Sequence, residues 1–236
     1  EALRKAITPK TKLLILSYPN NPTGAVMRRK DLEAVADVIR GTDIMVLSDE
    51  IYAELTYGTE RHVSFAAIDG MREHSVIVSG FSKAYSMTGW RLGYALGPAD
   101  VIGAMTKIHQ VGIMCASSIT QNAAIEALRN GDTDIEAMRA EYDKRRSYIV
   151  SRCAEIGMPC FAPEGAFYVF PDLRSFGLSS EEFCARLLHE FHVAIIPGSA
   201  FGAGGEGFAR VSYSYSLDHI EKAFGRIEAF ISSLKK

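Results

Sequence analysis

Residues 80–93 read Gly80-Phe81-Ser82-Lys83-Ala84-Tyr85-Ser86-Met87-Thr88-Gly89-Trp90-Arg91-Leu92-Gly93, between two short apolar runs. Ser75–Ser79 (SVIVS) before it has the length and β-branched content of a buried strand, and Arg91–Leu96 (RLGYAL) reads as another. Ser82 and Lys83 therefore fall just past the C-terminal end of a strand. In open α/β sheets that is the edge where ligands bind.

The same arrangement recurs upstream. Asp43–Ser48 (DIMVLS) predicts a strand ending at Asp49, with Glu50-Ile51-Tyr52 next. Lys12–Tyr18 (KLLILSY) predicts another, closed by the turn-rich Pro19-Asn20-Asn21-Pro22-Thr23-Gly24. Leu32, Val35 and Ile39 mark one face of a helix between them, with Gly41 placed to stop it. That helix is long enough for a right-handed crossover between parallel strands. Asn21, Asp49 and Lys83 thus follow three successive strands. The expected fold class is α/β.

Downstream, Asp100 to about Arg129 reads as helix in two pieces, and Asp134–Ile156 as one longer helix leading to a second, small α+β domain. There Ala166–Phe170 (AFYVF) and Phe208–Tyr213 are strand-like, and Ser179 with Glu182 makes a capping box. A last helix carries Leu217, Ile220, Phe224, Ile227 and Ile231 on one stripe. The expected division is 1–133, part of the large domain, and 134–236, the linking helix and small domain.

Composition is that of a globular protein, with 47% hydrophobic and 23% charged residues and a formal charge of −2. Such a balance gives no electrostatic reason to expect nucleic acid or an anionic membrane as partner. Cys115, Cys153, Cys160 and Cys184 form no C-x-x-C pair and have no histidines at metal-ligand spacing, so no metal site is expected. Reduced thiols and a cytoplasmic location are the expectation. No apolar run approaches bilayer length. The chain opens Glu1-Ala2-Leu3-Arg4 with a strand soon after, and is expected to start inside a domain.

Taken singly, the polar residues have ordinary readings: Asn21 as a turn cap, Asp49 as a helix cap, Lys83 as a solvated lysine, and Arg91 and Arg210 as surface charges. In order, they carry more. Asn20-Asn21-Pro22-Thr23-Gly24, Ser48-Asp49-Glu50-Ile51-Tyr52, the stretch Gly80–Gly93, Pro197-Gly198-Ser199-Ala200-Phe201-Gly202 and Arg210-Val211-Ser212-Tyr213 run in sequence along the chain. Together they resemble the class I/II aminotransferases of pyridoxal-phosphate fold type I, over essentially the whole chain, and the resemblance implies part of that family's large domain: a mostly parallel sheet with helices on both faces, three strands parallel and Arg91–Leu96 antiparallel.

The resemblance implies transfer of an amino group between an L-amino acid and a 2-oxo acid, with pyridoxal 5′-phosphate as cofactor and a homodimer as the assembly. It implies that Lys83 carries the cofactor and then acts as base, and that Asp49 keeps the pyridine nitrogen protonated. Tyr52 and Asn21 would bond the ring's O3′, Arg91 and Ser82 the phosphate, and Arg210 the substrate carboxylate. Many relatives have serine where this chain has Gly80. The family's small-residue phosphate loop and the aromatic residue stacked on the ring, which precede the Asn-Pro-Thr-Gly motif, are not in this sequence. The implied chain is an incomplete fragment, weakly active or inactive. Rival readings are a C–S lyase or decarboxylase of the same fold, and a non-catalytic, aminotransferase-like effector domain of a regulator.

Overall fold

The computed structural model describes residues 1–234. After a short N-terminal helix, α1 (Ala2–Ala6), the apolar run beginning at Lys12 forms β1 (Leu13–Ser17). Helix α2 (Arg29–Ile39) follows; Asp31 caps its start by accepting the Arg28 N–H at 3.0 Å. Leu32, Ala36 and Ile39 are its buried stripe, and Gly41, at φ +75°, ends it. Strands β2 (Met45–Asp49) and β3 (Ser75–Gly80) come next, then the single-turn helix α3 (Phe81–Ala84) and β4 (Gly93–Leu96).

The sheet order is β1-β2-β3-β4. The first three strands are parallel and β4 is antiparallel to β3, the arrangement expected from sequence. Register places Ser17 opposite Asp49, and Asp49 opposite Val78, so the strand ends line up. One sheet face packs on α2 through Leu16, Val46 and Ile77 against Leu32, Ala36 and Ile39, with Phe65, Ile68 and Met71 closing the layer. Burying each such side chain contributes about 1.5–3 kcal/mol.

Helices α4 (Ala99–Gly112) and α5 (Ser118–Asn130) are the two expected pieces, and α6 (Asp132–Glu155) is the long helix. Beyond it lie β5 (Tyr168–Val169), α7 (Ser180–Phe191), β6 (Ile196–Pro197), β7 (Ala209–Ser212) and α8 (Leu217–Leu234). The three strands form an antiparallel sheet in the order β5-β7-β6. Ser179 caps α7 by accepting the Glu182 N–H at 3.1 Å. Phe183, Leu187, Phe224 and Phe230 are buried, with the Phe183 and Phe230 rings 5.0 Å apart, edge to face.

Clustering of the backbone gives two units. One comprises residues 1–19 and 26–137, the other residues 20–25 and those from 138 on. The boundary therefore falls inside α6, and six residues of the Asn-Pro-Thr-Gly turn, Asn20–Ala25, belong with the C-terminal unit. Gly24 shows why: its carbonyl accepts the N–H groups of both Glu164 and Gly165 at 2.9 Å. A β-carbon at Gly24, where φ is +72°, would lie 2.3 Å from Pro163 Cβ. Among the described residues no helix is long and apolar enough to cross a membrane.

A candidate cofactor cradle and an arginine clamp

In the first unit, the Lys83 turn is set by its apolar residues. Phe81, Ala84 and Met87 are buried, with Phe81 and Met87 packed on Ala124 of α5. The Phe81 N–H donates to the Leu92 carbonyl at 3.2 Å, and the Met87 N–H to the Phe81 carbonyl at 3.3 Å. With those faces buried, Ser82 and Lys83 remain half-buried. Lys83 Nζ lies 5.9 Å from the centre of the Tyr52 ring, which is itself buried. Asp49 ends β2, and its Oδ1 accepts the Ile51 N–H at 3.1 Å, which starts the turn carrying Tyr52.

Gly80 has a steric reason. A β-carbon there would meet the Leu92 carbonyl oxygen at 2.9 Å and Gly93 Cα at 3.0 Å. The close approach of β3 and β4 means that any side chain there would force a neighbour to shift.

Arg91 departs from expectation. Where the sequence predicts a strand from Arg91, β4 begins at Gly93, and Arg91 adopts the left-handed conformation at φ 54°, ψ 50°. Its Nη1 donates to the Thr88 carbonyl at 2.8 Å, which turns the exposed guanidinium back over its own turn. A non-glycine residue held at positive φ is uncommon and marks a locally determined turn. Among the described residues, Thr88 is the hydrogen-bond partner of this guanidinium. The structure thus brings Lys83 and Tyr52 together, ties Asp49 to the Tyr52 turn, and leaves Arg91 engaged locally.

In the second unit, Asn20 organises the turn: its Oδ1 accepts the Thr23 hydroxyl at 2.7 Å, and its N–H donates to the Ala25 carbonyl at 2.8 Å. The peptide bonds before Pro19 and Pro22 are cis. Asn21 projects from this turn, and its Oδ1 accepts a hydrogen bond from Arg210 Nη1 at 2.9 Å. The Arg210 guanidinium lies 4.6 Å from the Tyr168 ring centre and 5.0 Å from that of Phe201. Its Nε is buried and has no hydrogen-bond partner among the described residues. A planar donor fork held by two rings and one amide, with a buried N–H unmet, has the shape and charge that a planar anion complements.

Sequence reasoning missed the two rings of this clamp. Phe201 stands inside the Pro197–Gly202 motif, and Tyr168 inside the predicted strand Ala166–Phe170. Only the pairing of β5 and β6 with β7 shows that both reach Arg210. It also missed Glu50. That buried carboxylate accepts, at Oε1, the Ser48 hydroxyl at 2.9 Å and the Ser64 hydroxyl and Phe65 N–H at 3.0 Å. His62 Nε2 stands 3.0 Å from Oε2, at ion-pair distance but off the hydrogen-bond direction. Burial alone would push the Glu50 carboxyl up; His62, the Phe65 N–H and Ser48 together outweigh it and hold the group below its ordinary value.

The family profile "Aminotransferase class I and II" matches residues 1–227. The chain is 43% identical to an aspartate aminotransferase of Pyrococcus abyssi and 42% identical to aromatic-amino-acid aminotransferase 2 of Thermococcus litoralis. In both cases all of this chain aligns, and it spans 61% of the relative's length. Among solved structures, the aromatic aminotransferase of Pyrococcus horikoshii superposes with a TM-score of 0.95 at 43% identity, over 99% of this chain and 63% of that one. An aspartate aminotransferase double mutant of Thermus thermophilus gives 0.90 at 38%, over 96% and 59%. With that family match over residues 1–227 and the ordered motifs and mostly parallel sheet beside it, the chain belongs to the class I and II aminotransferases.

Proposed function

We propose that the whole protein, of which this chain aligns with about three-fifths of its relatives' length, is a pyridoxal 5′-phosphate-dependent aminotransferase. It would move an amino group between an L-amino acid and a 2-oxo acid. The observation that carries this reading is Arg210, whose clamped fork and unmet Nε–H suit the carboxylate common to both substrates. Fixing that carboxylate orients the substrate's Cα–H and lowers the entropic part of the barrier.

The residues of the first unit fit the cofactor by their chemistry: an amine beside a buried phenol, and a half-buried carboxylate at a strand end with Oδ1 engaged. When bound, pyridoxal 5′-phosphate supplies an electron sink for negative charge developing at the substrate Cα. Lys83 would anchor it and, once displaced, take the proton from Cα. Asp49 would hold a proton on the ring nitrogen, because an adjacent negative charge favours the cationic form. Tyr52 would donate its hydroxyl to the ring oxygen, and Arg91 and Ser82 would hold the phosphate. We place the protein in the cytoplasm, where its four free thiols would persist, and as a homodimer, whose interface the exposed apolar side chains of the first unit would supply.

The test is spectroscopic. The whole protein loaded with cofactor should lose its long-wavelength absorbance on addition of a donor and regain it with 2-oxoglutarate. Aspartate, alanine and an aromatic amino acid form the first panel. Borohydride reduction and peptide mapping should place the cofactor on Lys83. A label on Lys30 or Lys107, or a band that cycles with no donor, rejects the reading.

A further inference from the structure

Glu50 is buried and stands in the chain between Asp49 and Tyr52. Its main chain is tied on both sides. The Glu50 N–H donates to the Val78 carbonyl at 2.8 Å, which carries the β2–β3 ladder one residue past Asp49. The Glu50 carbonyl accepts the Ala53 N–H at 2.9 Å, within the turn that holds Tyr52. It also accepts the Ser79 hydroxyl at 3.3 Å, from the strand that leads to Lys83. One residue thus joins the three segments that carry Asp49, Tyr52 and Lys83.

Strand side chains alternate between faces. Ile44, Val46, Ser48 and Glu50 are buried, whereas Met45, Leu47 and Asp49 are half-buried. The Glu50 side chain therefore points with Val46 into the layer beneath α2, and Asp49 points to the opposite face. The Glu50 carboxylate is fastened there. Its Oε1 accepts the Ser48 and Ser64 hydroxyls and the Phe65 N–H, and Phe65 is itself part of the α2 layer. A one-residue slip of the strand end would exchange the faces, bury Asp49 and leave those three donors unmet.

We infer that Glu50 is a positioning residue: its bonds to Ser48, Ser64 and Phe65 fix the end of β2 so that Asp49 faces the cofactor. The inference rests on the reading of Asp49 as the partner of the cofactor's ring nitrogen. Acceptor geometry does the positioning, and the charge is not needed for it. A carboxamide offers the same oxygen to the same three donors.

The test uses the whole protein, titrated with pyridoxal 5′-phosphate through its long-wavelength absorbance, with kcat and KM for the amino acid measured at cofactor saturation. Asp49→Asn is the yardstick. If it leaves kcat unchanged, the reading of Asp49 itself fails, and this inference with it. With that variant slowed, Glu50→Ala should raise the cofactor dissociation constant at least roughly tenfold, as for the loss of one charge-assisted hydrogen bond. It should lower kcat as well, and leave KM near its original value because Arg210 belongs to the other unit. Glu50→Gln should restore the dissociation constant and kcat. A role confined to stability would lower the melting temperature without moving kcat of the saturated protein. Should Glu50→Ala fail to fold, Ser64→Ala, which removes one of the three donors, carries the test. It should shift both quantities in the same direction, and Ser64→Thr, which returns the hydroxyl, should reverse the shift. Unchanged cofactor affinity and kcat in whichever of Glu50→Ala and Ser64→Ala decides, or a Glu50→Gln protein as impaired as Glu50→Ala, overturns the inference while the reading of Asp49 stands.

Discussion

At the scale of single residues, the half-buried Arg210 and the buried Glu50 illustrate two uses of a charge. Arg210 is held by Asn21 and two rings, so in the proposed role little ordering would remain to offset its binding of the carboxylate. Replacing it by lysine keeps the charge but loses the planar fork. Arg210→Lys should raise KM for the amino acid at least roughly tenfold, the equivalent of one charge-assisted hydrogen bond. Steady-state kinetics of the whole protein check this, and an unchanged KM would remove Arg210 from carboxylate binding. Glu50 acts on stability instead. Its folded-state pKa is depressed below the ordinary 4.5, so its contribution is present above that pH and is lost as pH falls through the folded value. Glu50→Gln should cost roughly 1–3 kcal/mol at neutral pH. The gap in melting temperature between the two proteins should narrow below pH 4.5. A gap that is constant with pH would mean that the ionised form is not what matters.

At the scale of elements, what was legible followed period and punctuation. The four sheet strands, α2 with its stop at Gly41, the two-piece α4–α5 run and the stripe of α8 all declared themselves as apolar repeats bounded by turn residues. The places of Asn21 and Lys83 beyond strand ends were legible for the same reason, and Asp49 falls one residue earlier than expected, as the last residue of β2. What was not legible depends on backbone states that side-chain type does not reveal. Ala166, at φ +57°, cuts the expected strand Ala166–Phe170 down to Tyr168–Val169, and Arg91 adopts a conformation usually left to glycine. Strand β6, only Ile196–Pro197, is too short to show a period. The Glu50–His62 pair joins a strand end to a loop, and no spacing rule connects them. Gly24 gives the prediction at this scale. Gly24→Ala sets an L residue at φ +72° and drives a methyl into Pro163, so it should destabilise by about 1–3 kcal/mol and loosen the turn holding Asn21. Urea unfolding measures the first effect and KM for the amino acid the second. Wild-type values in both would show that the turn yields freely.

At the scale of the molecule, the first unit has more apolar surface than it buries. Leu13 and Ile15 on β1, and Tyr94 and Leu96 on β4, are exposed at the two edges of the sheet. Helix α4 has no buried residue at all, and Val111 is 90% exposed. Surfaces of this kind seek partners, and unpaired sheet edges do so most readily. The chain expressed alone should therefore self-associate as its concentration rises and bind an apolar dye. Sedimentation velocity over a concentration series checks this; a dye-silent monomer throughout would contradict it. The excursion of Asn20–Ala25 into the C-terminal unit has a different kind of consequence, one of inheritance. No single cut in the gene separates the two units. A recombination that exchanged only the sequence beyond α6 would bring in Glu164 and Gly165 without the Gly24 carbonyl evolved to meet them, and Arg210 without its own Asn21. The unit that holds the arginine clamp can be swapped between relatives only if those six residues, encoded far upstream, travel with it.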